Sequence, residues 1–195
     1  SKDPDVRKQE ILDAASALFI SKGYGKTTVN DIINAVELAK GTFYYYFKSK
    51  EEVMDAIVER FMDVGTAADL TVIDMDIPAT EKLRLLITGG GENKTKEKMI
   101  EEFHEIDNAE MHLKSLVGTI TRLAPLMGDI IEQGITEGSF KTVYSREASE
   151  FLLVASSFLF DEGIFGWTKE ELAARARAFT DIGEQILGAE KGSLN

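Results

Sequence analysis

From Ile11 to Ile186 the apolar residues of this chain return every three or four positions, and nowhere do they settle into alternation by twos. That spacing lays them along one stripe of an α-helix, whereas a half-buried strand needs a period of two. Ile11, Ala14, Ala15, Leu18 and Phe19 make the first stripe, between about Asp5 and Lys22, and Gly23 follows where a helix commonly stops. Three prolines in 195 residues leave room for long uninterrupted helices. There is no hairpin signal and no internal repeat, so the expected fold class is all-α.

A second helix begins at Thr27-Thr28. Thr28 with Asp31 three residues on has the form of a capping box, and Ile32, Ile33 and Val36 follow at helical spacing. A short link, Glu37 to Ala39, leads to a third helix over Lys40–Tyr46. Ser49 and Glu52 form a second box, which opens a fourth helix carrying Val53, Ile57, Phe61 and Met62. Beyond it the spacing predicts helices from Pro78 to Ile87, Lys94 to Asp107, Met111 to Leu123, Pro125 to near Gly138, Ser145 to Phe165 and Thr168 to Leu187. Gly89 to Gly91 is expected to break the chain between helices, and the tail from Ala189 to Asn195 to fray.

Charge divides the chain. Residues 1–50 hold eight Lys/Arg against six Asp/Glu, while the remainder holds fourteen against twenty-eight, within a total of −12. An acidic body repels nucleic acid, so DNA is expected to dock at the N-terminal end alone. Two short helices joined by a tight turn and packed on a preceding helix form a helix-turn-helix, whose second helix enters the major groove. Here that helix carries five aromatics in succession, Phe43 to Phe47. Neighbouring helical positions lie about 100° apart, so some of these rings must face solvent, where a tyrosine hydroxyl can donate to a phosphate oxygen.

The segment from Gly23 to Lys50, GYGKTTVNDIINAVELAKGTFYYYFKSK, resembles the signature of the tetracycline-repressor (TetR) family: Gly-Tyr, Thr-Thr, a Lys-Gly-Thr turn, a Tyr-x-Tyr-Phe run and Ser-Lys-Glu. The likeness covers about Val6 to Asp55, and beyond it extends to architecture and to Gly134, Gly138 and Phe140 before two long helices. It implies a three-helix DNA-binding domain over residues 1–50, a connecting helix over 50–67, and a helical ligand-binding and dimerisation domain over 51–195. It implies a homodimer on a palindromic operator in double-stranded DNA, released by an unidentified small molecule. DNA contacts are then expected from Thr27, Thr28, Asn30, Lys40, Gly41, Thr42, Tyr44, Tyr45, Tyr46 and Lys50, with Phe43 and Phe47 in the core. Two positions depart from the pattern. Glu37 stands where the family turn usually has glycine, and Ala39 where a serine cap is frequent.

In the C-terminal part, Met99, Phe103, His104, Met111, Met127, Phe151 and Phe158 supply adaptable apolar side chains for a ligand site, although an ordinary core would use the same residues. Phe151 to Leu159 is apolar nearly all round, and Leu172, Ala176, Phe179, Ile182, Gly183 and Ile186 form a stripe on the last helix. Those two helices, with Phe158 on the first, are expected to pair with a second copy in a four-helix bundle; burial inside one subunit is the alternative. Glu101-x-x-His104, with Glu105, Asp107, Glu110 and His112, gives half of a di-metal motif, and the second half is missing because position 109 is alanine. Gly89 to Thr95 fails the spacing of a phosphate loop. Neither a metal nor a cofactor is expected, and no nucleophile–base arrangement supports catalysis. The alternative function is a helical small-molecule or metal-binding protein that binds no DNA. The charged N-terminus lacks a signal-peptide core, and the longest apolar run, Phe151–Phe160, falls short of the roughly 20 residues of a membrane span, so a cytoplasmic protein without membrane contact is expected.

Overall fold

The computed structural model describes residues 3–87, 101, 103, 105, 106, 108–161 and 164–195. Among them are eight helices and no strand: α1 Pro4–Lys22, α2 Val29–Ala35, α3 Lys40–Tyr46, α4 Lys50–Ile73, α5 Ala79–Ile87, α6 Ala109–Thr136, α7 Ser145–Leu159 and α8 Lys169–Leu187. Met99, His104, the Gly89–Gly91 break and most of Lys94 to Asp107 lie outside the described residues.

The chain divides into two compact units, Ser1–Val64 with Lys94–Ser115, and Gly65–Asn93 with Leu116–Asn195. The division falls inside α4 rather than at residue 50, and the core shows why. Val53, Met54, Ile57, Val58 and Met62 of α4 are buried with Ile11, Leu12, Ala15 and Phe19 of α1, Ile32 and Ile33 of α2, and Phe43 and Phe47 around α3. Phe103, Ile106 and Met111 join the same cluster, and Phe103 stacks on Phe61 with ring centroids 4.2 Å apart. Among the described helices, α4 and α6 have residues in both units.

The second unit packs α5, α6, α7 and α8 around Leu83, Met127, Ile130, Ile131, Phe140, Leu152 and Leu187. Three expectations change here. Pro125 does not open a helix; it lies inside α6. Ala124 precedes it and Met127, Ile130 and Ile131 follow, all buried, so one apolar stripe runs past the proline and packing outweighs the hydrogen bond it removes, at a cost of about 3 kcal/mol. The Ser149 hydroxyl donates to the Ala124 carbonyl at 2.8 Å across the same stretch.

The helix from Ser145 stops at Leu159 instead of Phe165. The indole N–H of Trp167 donates to the Leu159 carbonyl at 3.0 Å, and Phe165 stacks on Trp167, so the aromatic pair satisfies the helix end and turns the chain.

The tail does not fray. Gly188, at φ 62, ends α8 in the left-handed conformation, and Leu187's carbonyl accepts from the N–H groups of Lys141 and Thr142. The buried Glu184 carboxylate then accepts from the N–H of Gly192 at 2.8 Å and of Leu194 at 2.9 Å, which seats Leu194 in the core.

Candidate functional site

The expected helix-turn-helix, here called the reader, is built from α1, α2 and α3, and its local geometry follows from a few residues. Thr28 caps α2 with both halves of the predicted box present: its hydroxyl accepts from Asp31 N–H, and Asp31 accepts from Thr28 N–H. The Lys22 ammonium bonds the same carboxylate at 2.6 Å. That bond, then those from Thr28, hold the Asp31 carboxyl down at about 2, below its ordinary value of 3.8. A depressed carboxyl contributes above its ordinary value and loses that contribution as pH falls toward about 2, so the cap is intact at neutral pH.

The second box is rearranged. The Ser49 hydroxyl accepts from Glu52 N–H, while the Glu52 carboxylate accepts from Lys48 N–H.

The turn between α2 and α3 shows what the two departures do. Glu37 has φ 52 and is the one non-glycine with positive φ among the described residues. The backbone thus keeps the shape that glycine would adopt without strain, and a side chain there costs about 1–2 kcal/mol. Glu37→Gly should raise stability by about 0.5–1 kcal/mol after the extra freedom of an unfolded glycine is deducted, read as a higher denaturation midpoint. A lower midpoint would mean that the Glu37 side chain contributes more than its backbone strain costs. At Ala39 no side chain caps α3.

Tyr44 and Tyr45 of α3 are exposed, Tyr45 at 79%, while Phe43 is fully buried and Phe47 nearly so. Lys40, Gly41 and Thr42 are exposed at its start, and Thr28 and Asn30 are exposed at the start of α2. Tyr45 and Tyr46 pack edge-to-face with ring centroids 5.0 Å apart, and Tyr46 is half-buried.

Two expected contacts are placed differently. Thr27 is buried: its hydroxyl donates to the Gly23 carbonyl at 2.8 Å and its N–H to the same oxygen at 3.1 Å, so it shapes the loop before α2. Lys50 donates to the Tyr24 carbonyl at 2.8 Å with its ammonium 4.2 Å from the Tyr24 ring centroid, which ties the start of α4 to that loop. Lys26 before α2 and Lys48 after α3 are also exposed and add positive charge in the loops flanking the two helices.

The second unit holds a cavity of about 500 Å³, partly open to solvent. Leu83, Leu86 and Ile87 of α5 line it, with Met127 of α6 and Leu152, Leu153 and Ser156 of α7. Phe160 and Asn195 complete the wall with Ala176, Arg177, Phe179 and Thr180 of α8. A smaller hollow of about 80 Å³ shares Leu86, Met127 and Leu153 with it and reaches Asp69 and Ile73 of α4.

Of the described residues expected at a ligand site, Met127 lines the cavity. Phe103 and Met111 are core of the first unit, Phe151 is exposed, and Phe158 is half-buried away from the lining. The stripe expected at a dimer interface also splits. Ile182 and Ile186 are exposed, Leu172 is half-buried, Ala176 and Phe179 face the cavity, and Gly183 is buried with space for a β-carbon 3.5 Å from Leu152.

No described helix is long and apolar enough to cross a membrane. Residues 11–57 match the family described as "Bacterial regulatory proteins, tetR family", and residues 92–182 match "Tetracyclin repressor-like, C-terminal domain". The chain is 31% identical over 148 residues to the HTH-type transcriptional repressor KstR2 of Rhodococcus jostii, covering 70% of this chain and 69% of that one. It is 29% identical to the uncharacterized HTH-type transcriptional regulator YhgD of Bacillus subtilis, over 84% of this chain and 85% of that one. A solved putative TetR-family regulator from Syntrophomonas wolfei superposes with a TM-score of 0.69 at 22% identity, covering 93% and 96% of the two chains.

Proposed function

The chain belongs to the tetracycline-repressor family of DNA-binding transcriptional regulators, and from that premise we propose that two copies read a palindromic operator through α3 and release it when a small molecule fills the α5–α8 cavity. The observation that carries the DNA half is α3 itself: a seven-residue helix whose Phe43 is buried while Lys40, Thr42, Tyr44 and Tyr45 are offered to solvent. Lys40 and Thr42 lead the helix and address base edges; Gly41 lets the backbone come close. Tyr44, Tyr45 and Tyr46 donate to or pack on the sugar-phosphate backbone, Thr28 and Asn30 do the same from the start of α2, and Lys50 adds charge with the donors that Tyr24 leaves it.

Fluorescence anisotropy on duplexes that the protein itself selects from genomic fragments separates these roles. Tyr44→Phe with Tyr46→Phe should weaken binding to every sequence alike, whereas Lys40→Ala should relax preference at one or two base pairs by roughly 1–3 kcal/mol each. Lys50→Ala should lower the slope of log affinity against log salt by up to about 1. Unchanged affinity in all of these variants would move the DNA surface away from α3.

The ligand half is supported by the way α5 is used. Lys82 is buried and donates to the Ile73 carbonyl at 2.7 Å, the last residue of α4, while Leu83, Leu86 and Ile87 of the same helix line the cavity. A ligand that repositions α5 therefore acts on the end of the helix whose other end follows the reader. Two readers must sit about 34–36 Å apart to reach successive major grooves, so a small displacement lowers operator affinity and leaves base contacts intact. Such a repressor works where the chromosome is, in the cytoplasm.

A further inference from the structure

We infer that the cavity of the second unit takes an amphiphile with an apolar body and one anionic head group, held at the mouth by Arg177. This rests on the cavity being the ligand site, and it reverses what the acidic composition of the second unit suggests, which is a cationic ligand. Lining residues decide between the two. Among the described lining residues Arg177 is the one charged side chain, and none carries a side-chain carboxylate.

The neighbouring polar groups sharpen the choice. Ser156 donates its hydroxyl proton to the Leu153 carbonyl at 3.1 Å, and Thr180 donates its own to Ala176 at 3.1 Å, so both offer only lone pairs to the interior. Donors for a head group come from Arg177 and the Asn195 amides. Arg177 makes no ion pair or hydrogen bond with any described residue, although the second unit is rich in carboxylates. Arg175, two positions earlier, is fully engaged, with its guanidinium 3.4 Å from the Trp167 ring centroid and bonded to the Glu171 carbonyl.

An ammonium head would meet the like charge of Arg177 and no side-chain carboxylate among the described lining residues, and would lose hydration without compensation there. A carboxylate or phosphate would meet a planar fork that matches two of its oxygens, while Arg177, being exposed, keeps the head partly in water. The apolar body would lie among Leu83, Leu86, Leu152 and Phe179. A longer body would pass Leu86 and Met127 into the hollow that touches Asp69 and Ile73 of α4.

The test uses probes with one tail and different heads: decanoate, decyl phosphate, decanol and decyltrimethylammonium, each below its micellar concentration, titrated calorimetrically into the full chain. Decanoate and decyl phosphate should both bind, and both should lose roughly tenfold or more in Arg177→Met while decanol is little changed. Arg177→Glu should invert the order, so that the ammonium outbinds the carboxylate. Loss of one anion alone in Arg177→Met would restrict the head to that chemistry and still support an anionic ligand. Leu86→Trp, which fills the cavity from α5, should abolish binding of every probe in a chain that still melts cooperatively. Binding that Leu86→Trp blocks but whose head-group order ignores residue 177 would overturn the ligand class and leave the cavity reading standing. No binding by any probe, or binding that Leu86→Trp leaves intact, would overturn both.

Discussion

Gly134→Ala should destabilise the chain by about 3 kcal/mol, a severe effect for a single added methyl group. A β-carbon built at Gly134 would lie 2.1 Å from one ring carbon of Phe140 and 2.3 Å from another. Phe140 is almost fully buried and cannot swing away. Its own N–H and that of Ser139 both donate to the Gly134 carbonyl, at 3.1 and 2.8 Å, so the loop is fastened to the helix at the point of collision. The damage would spread, since the N–H groups of Lys141 and Thr142 that follow close the end of α8. Gly138, four residues on, has nothing within 4 Å of the same position but φ +80, so Gly138→Ala should cost only about 1–2 kcal/mol, through backbone strain. Urea denaturation distinguishes them. If Gly134→Ala melts no earlier than Gly138→Ala, the ring contact is not what holds Phe140. In a Phe140→Ala background the Gly134→Ala penalty should shrink, because the colliding ring is gone.

That pair of glycines was visible in the sequence as a spaced motif, and the reader was more visible still. The Thr28–Asp31 box and the bounds of α3 follow from local rules, capping geometry and helical period, while the inward turn of Phe43 and Phe47 is what the family resemblance implies. Glu37 was legible as an oddity, and the structure turns it into a measurable strain. What could not be read depends on partners distant in sequence. Pro125 carries the same helix-opening signal wherever it stands; only the burial of Ala124, Met127 and Ile130 around it keeps α6 continuous. The tail looked free because nothing in AEKGSLN announces that Glu184 will bond Gly192 and Leu194. The cavity was least legible. Among the described residues expected at a ligand site Met127 alone lines it, since the wall mixes leucine with isoleucine, alanine, serine and threonine and its members share a side only after four helices have packed.

Charging the outer face of α7 and α8 should separate the proposed dimer and cost the operator complex roughly 10²–10⁴-fold in affinity, because the second reader would no longer be tethered to the first. In the single chain Phe151 is 67% exposed and Ile182 52%, with Val154, Leu159 and Ile186 also open to solvent on the same two helices. Large apolar side chains in such number are not left in water without a reason, and a second copy offering the same surface covers both sets at once. Phe158 and Phe179, the natural targets from sequence, would make a poor test. Phe179 packs edge-on to Phe160 at 5.8 Å and lines the cavity, so a charge there damages the subunit itself. Phe151→Glu with Ile182→Glu touches only exposed positions, and the subunit's own core is left whole. Light scattering should give twice 21.6 kDa for the unaltered chain and 21.6 kDa for the double variant, which should still melt cooperatively. Its binding to a single half-site should match that of the unaltered chain, while binding to the full palindrome collapses to the half-site value. An unaltered chain that stays at 21.6 kDa at high micromolar concentration, or a double variant that remains dimeric, would place the contact between copies elsewhere.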